Sequence, residues 1–134
     1  MKYLMLFADY FEDTEAIATL DVLLRGHDEV VSASMKGRTE IKTKCGFTLT
    51  VNTTIEEVDP TQFDALIIPG GPGSFKILGR LPKVDELIKY FAESGKLVAA
   101  ICAAPFLIGR FGYLYDREYT VFPGFEDQIL DQPC

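Results

Sequence analysis

The chain has 134 residues, 48% of them hydrophobic, which is enough for one domain with a core and excludes a disordered polypeptide. Thirteen basic residues stand against 20 acidic ones, a net charge of -7, with no Lys/Arg block, so the footprint of a nucleic-acid binder is absent. No apolar stretch approaches a membrane span, and residues 1–7 are too short for the hydrophobic region of a secretion signal. Three cysteines at unrelated spacings suggest neither a disulfide framework nor a zinc site. A cytoplasmic protein with reduced thiols, no metal and no cofactor is the expectation.

Residues 2–7 read as a first strand. Asp13 is placed to cap the helix that follows, in which Ala16, Ile17, Leu20, Leu23 and Leu24 form an apolar stripe ending at Gly26. Residues 29–34 form a second strand. Alternation over 41–51 around Lys44-Cys45-Gly46 predicts antiparallel strands at a sheet edge. Asp59-Pro60 breaks the chain before the buried strand Ala65-Leu66-Ile67-Ile68, which runs into Pro69-Gly70-Gly71-Pro72-Gly73. That loop lacks the lysine and spacing of a phosphate-binding P-loop. A second helix is predicted over 82–94, with Val84, Leu87, Ile88 and Phe91 on one face. Residues 119–122 are read as a last strand before Pro123-Gly124. Strands alternating with helices through short connections predict an α/β fold, a mainly parallel sheet with helices on both faces. No repeat or interdomain linker is visible.

The apolar run Leu97-Val98-Ala99-Ala100-Ile101 leads directly into Cys102, and Ala103-Ala104-Pro105 suit the first turn of a helix. A thiol at such a junction faces a helix N-terminus, which favours the thiolate. The same segment fits a small buried hydrophobe closing a strand equally well. In a parallel sheet the ligand site lies at the carboxyl ends of the strands. Glu12, Asp13 and Glu15 follow the first strand, Gly70, Gly71 and Gly73 follow the Ile68 strand, and Cys102 ends its own. The backbone N–H groups of Gly71 and Ala103 are therefore candidates to hold an oxyanion. By pattern alone, Glu15 reads as a first-turn acid that complements the helix dipole. The single histidine, His27, falls at the opposite edge of the sheet, which weakens any mechanism needing a Cys–His pair.

Three segments in order, Phe11-Glu12-Asp13-Thr14-Glu15-Ala16 followed by Asp21-Val22-Leu23, Ile67-Ile68-Pro69-Gly70-Gly71, and Ala99-Ala100-Ile101-Cys102-Ala103-Ala104-Pro105, resemble the DJ-1/PfpI (ThiJ/PfpI) superfamily. The resemblance spans the chain. It implies a flavodoxin-like three-layer sandwich, a homodimer, Cys102 as nucleophile and redox-sensitive thiol, Glu15 as the carboxylate touching it, and Gly71 and Ala103 as oxyanion-hole donors. A charged Glu15 would repel the thiolate, whereas a neutral buried acid could donate a hydrogen bond to the sulfur. Cys45 resembles a family thiol near the dimer interface, and Cys134 is the terminal residue.

Two departures stand out. Many members carry a histidine in the strand after the nucleophile helix, where this chain has Phe122. Relatives also continue through a further strand and a long C-terminal helix, so residues 1–134 read as a single domain incomplete at its C-terminus, less stable than a longer form, with apolar sheet surface uncovered. The function implied is glyoxalase III or deglycase chemistry on small aldehydes or glycated substrates. A non-enzymatic oxidation sensor or redox-regulated chaperone is the alternative. An intracellular protease, an amidase-like member, or one carrying a thiazole-biosynthesis label ranks third.

Overall fold

The computed structural model describes residues 1–35 and 37–134. Its centre is a five-stranded, wholly parallel sheet. The strands are β1 (Lys2–Leu6), β2 (Glu29–Ser34), β5 (Thr53–Thr54), β6 (Ala65–Ile68) and β7 (Leu97–Ala100), in the order β5-β2-β1-β6-β7. Leu4 sits between Val31 of β2 and Leu66 of β6, and Leu66 pairs on with Val98 of β7.

Side chains alternate across the pleat, so each strand supplies both faces. Leu4, Leu6, Leu66 and Ile68 pack against α3 (Pro82–Glu93) and α4 (Pro105–Gly109). Tyr3, Met5, Ala65 and Ile67 pack with Ala16 of α1 (Asp13–Arg25) and with Ile41 and Val51. Burial on both faces explains why the strands are continuous apolar runs rather than alternating ones. The four residues predicted for the inner face of α3, Val84, Leu87, Ile88 and Phe91, are all buried. Hydrogen bonds from the Lys96 ammonium to the carbonyls of Pro60 and Phe63 fix the turn between α3 and β7.

Several local expectations are overturned. In α1 only Ala16, Leu20 and Leu23 reach the sheet, whereas Ile17 and Leu24 are exposed. A line at i, i+4, i+7 faces one way, and the residues one step further along the helix point about 100° aside. Asp13 does not cap the helix. Glu12 occupies the cap position without a side-chain cap, and the Asp13 carboxylate accepts the Cys45 N–H at 3.0 Å.

The predicted hairpin exists as β3 (Glu40–Lys42) and β4 (Thr48–Thr50), but it forms a separate two-stranded sheet. The edge beside β2 is taken by β5, so the hairpin hangs from the turn after β1 instead. Tyr10 N–H donates to Lys42 O at 2.6 Å and Lys44 N–H to Phe11 O at 3.0 Å. Residues 119–122 form no strand. One hydrogen bond, Phe122 N–H to Cys102 O at 2.7 Å, joins them to the turn after β7, and Pro123 has no amide to continue a ladder.

At the open edge of the sheet, Leu97 of β7 pairs with Ala65 and Ala99 with Ile67. Leu97 and Ile101 are about half exposed there, and α1 exposes Ile17, Val22 and Leu24. Among the described residues no helix is long and apolar enough to cross a membrane.

Phe91 is fully buried under the sheet. Phe91→Ala is expected to cost about 3–5 kcal/mol of unfolding free energy, measured by urea denaturation.

Candidate functional site at the carboxyl ends of the strands

The chain leaves β1 toward β2 on one side and comes back as β6 on the other, so the turns after β1 and β6 diverge. Such a switch point opens a crevice at the carboxyl edge of a parallel sheet. The turn after β1 carries Glu12 into α1, and Glu12 N–H donates to Gly70 O at 3.0 Å in the turn after β6. Cys102 follows β7, the next strand along. Strand order thus brings together the three segments that carry Glu15, Gly70-Gly71 and Cys102.

Cys102 has φ +64, a left-handed conformation that is uncommon for a residue with a side chain. Outliers of this kind cluster at functional sites. Its backbone is held by the Phe122 bond, and the amides of Ala103 and Gly71 lie near enough to its sulfur to favour the thiolate. Among the described residues, neither amide donates to a backbone carbonyl. The Glu15 carboxyl lies beside the sulfur, where its charge opposes the thiolate, and its Oε1 is buried without a hydrogen-bond partner.

Two glycines make the approach possible. A Cβ on Gly70 would collide with Glu15 Oε1 and come within 2.6 Å of Cys102 Cβ. Gly71 has φ +96, and a Cβ there would lie 2.8 Å from both Phe11 C and Tyr10 O. Ser74 Oγ, fully buried, donates to the carbonyls of Pro69 and Gly70 and holds this turn.

Burial pushes the Cys102 thiol above its ordinary value, and the Glu15 charge adds to the push. The Ala103 and Gly71 amides pull the other way without reversing it. The expectation of a thiol lowered by a helix N-terminus is therefore overturned: α4 has five residues and starts only at Pro105, so it offers little dipole. Cys45 is raised as well, chiefly by its hydrogen bond with Asp13 and then by the charge on that carboxylate.

A cleft of about 270 Å³ opens at Cys102, bordered by Gly71, Pro72, Phe75, Phe122 and Phe125, with Glu12 and Lys44 at its polar side. Lys44 Nζ and Glu12 Oε2 are 3.0 Å apart. Phe122 lies where the resemblance led to a histidine, and His27 sits in the exposed turn between α1 and β2, at the opposite edge. Lys44, Phe75 and Phe125 had no signal of spacing in the sequence. Among the described residues no group of three or more His, Cys, Asp or Glu side chains could hold a metal ion.

A parallel α/β sheet with a cysteine on a left-handed turn at its switch-point edge defines the class. The model of the DJ-1/PfpI family matches residues 1–133, and the chain belongs to that family. It is 39% identical over 131 residues to a protein of Pyrococcus abyssi named a deglycase, covering 98% of this chain and 78% of that one. It is 38% identical over 115 residues to a Caenorhabditis elegans protein named a glutathione-independent glyoxalase, covering 82% of this chain and 60% of the relative. The crystal structure of the VC2308 protein superposes with a TM-score of 0.86 at 32% identity, covering 96% of this chain and 66% of that one. The chain thus spans between about three fifths and four fifths of these proteins.

Gly70→Ala is expected to force Glu15 and Cys102 apart and to cost about 1–3 kcal/mol, read by urea denaturation. Glu15→Gln removes a negative charge and an acceptor from beside the thiol. The pH inflection for Cys102 alkylation should therefore move down, read by peptide mass mapping with Cys45 as the internal reference; an unchanged inflection would show that Glu15 is neutral beside the sulfur.

Proposed function

We propose that the chain processes small reactive aldehydes through Cys102, in the manner of a glyoxalase or deglycase. The observation that carries this reading is Cys102 at the cleft, its sulfur influenced by the amides of Gly71 and Ala103 and by the buried Glu15 carboxyl behind it. The names of the Pyrococcus abyssi and Caenorhabditis elegans relatives point the same way.

With glyoxal as substrate, Glu15 takes the thiol proton as sulfur adds to one aldehyde carbon. A C–S bond forms, the carbonyl π electrons move to oxygen, and the Gly71 and Ala103 amides hold that oxyanion until Glu15 hands the thiol proton on to it. Glu15, a carboxylate again, takes the proton from the carbon bearing sulfur to give an enediolate, then returns it to the neighbouring carbon as the hydroxyl proton passes to the adjacent oxygen, leaving a thioester. Water cleaves the C–S bond, releasing a 2-hydroxy acid and the thiol. One carbon is oxidised and the other reduced, so no outside oxidant or cofactor enters. A raised thiol beside a carboxylate suits this order, because the proton has an acceptor in contact when sulfur attacks.

Assembly as a homodimer belongs to the same proposal, and the exposed Ile17, Val22 and Leu24 of α1 are apolar surface that a second copy would cover.

Cys102→Ser is expected to lower glyoxal and methylglyoxal turnover at least about a hundredfold, as removal of a covalent nucleophile does. Loss of aldehyde, followed by derivatisation, measures it. Retention of full turnover would refute the mechanism.

A further inference from the structure

The cleft beside Cys102 has a wall that the aldehyde chemistry itself does not use. Phe75 comes from α2 (Pro72–Lys76), directly after the Gly70-Gly71 turn, while Phe122 and Phe125 come from the irregular segment near the C-terminus. The three rings meet: Phe75 and Phe125 centroids are 4.9 Å apart, and Phe122 stands nearly perpendicular to Phe125 at 6.3 Å. Phe106 backs Phe125 at 5.4 Å, so the wall continues into the core. Phe122 is tied to the nucleophile turn itself through its N–H to Cys102 O, at 2.7 Å. That bond sets the ring at a defined place relative to the sulfur.

Phe122 is nevertheless 54% exposed, in contrast to the half-buried Phe75 and Phe125. An apolar ring open to a cleft is covered at a gain when an apolar group enters, and aromatic pairs add a preference for edge-to-face contact. The charged groups at the cleft, Glu12 and Lys44, already satisfy each other. A polar substituent would have to break that pair, whereas an apolar one displaces only water.

We propose that this cleft selects 2-oxoaldehydes carrying an aryl or bulky alkyl substituent over glyoxal, and that Phe122, backed by Phe75 and Phe125, determines the preference. The proposal rests on the aldehyde-processing reading of Cys102 and names its substrate class. The aldehyde carbon lies at the sulfur, and the substituent on the adjacent carbonyl lies against the rings. Glyoxal has no group that could reach them.

The test compares kcat/KM for phenylglyoxal and glyoxal in the wild type, Phe122→Ala and Phe122→Leu, using the change in their ratio so that the intrinsic reactivity of the two aldehydes cancels. The phenylglyoxal-to-glyoxal ratio is expected to fall about tenfold or more in Phe122→Ala, the scale on which a hydrophobic pocket discriminates, and to recover in part in Phe122→Leu. An unchanged ratio with both aldehydes turned over would overturn the proposal and leave the aldehyde reading standing. Turnover of neither aldehyde by the wild type would defeat the aldehyde reading, and a binding measurement then decides the cleft's preference separately. Mandelate is expected to protect Cys102 from iodoacetamide at a concentration about tenfold lower than glycolate does, by the same pocket discrimination. Equal protection by the two acids, or protection by neither, would overturn the preference.

Discussion

The turn after β6 passes so close to both the Glu15 carboxyl and the Cys102 side chain that only a residue without a Cβ fits at Gly70. Everything at the site is organised around this close approach. The main chain of Gly70 accepts the Glu12 amide at the start of α1, and the amide of Gly71 faces the sulfur. Ser74 fastens the same turn from inside the protein. The parallel register of β1, β6 and β7 supplies the frame, since it ends the three strands at one edge. A sheet buried on both faces can hold that register firmly, because each strand is clamped by side chains above and below.

Electrostatically the site is a balance in which burial and a neighbouring carboxyl oppose ionisation of Cys102 while two amides favour it. The balance leaves the thiol protonated more readily than a free cysteine. This is compatible with a nucleophile whose proton is removed in the act of attack, and it shields the sulfur from reaction with whatever reaches it from solvent. The oxyanion donors are backbone groups on two separate turns, so their aim depends on those turns and not on any side-chain rotamer.

The β3–β4 hairpin is attached to the site rather than to the sheet. Asp9 accepts from Arg38 and from Lys42 N–H, Asp13 from Cys45 N–H, and Glu12 pairs with Lys44. Each acid of the turn after β1 is thereby engaged by the hairpin, which explains why Asp13 is unavailable as a cap. Glu15, one turn further along α1, escapes the hairpin and faces the thiol instead. A run of acids that looks uniform in the sequence is divided by its surroundings into latch and site.

Much of this protein was legible in its residues. Continuous apolar runs marked β1, β6 and β7, the spacing of Val84, Leu87, Ile88 and Phe91 marked the inner face of α3, and the glycines after Ile68 marked a turn that must pass close to other atoms. These are local properties, determined by burial, helical period and the missing Cβ, so the sequence alone could state them. Other features depended on what lay alongside. Strand order decided that Glu15 meets Cys102, neighbouring layers decided which apolar residues of α1 are covered, and the competition for hydrogen bonds turned Asp13 toward Cys45. The joining of Phe75 to Phe122 and Phe125, far apart along the chain, likewise came only from tertiary packing. Contacts between distant segments leave no period or spacing in a sequence, because the energy that selects them arises only when the layers close on one another.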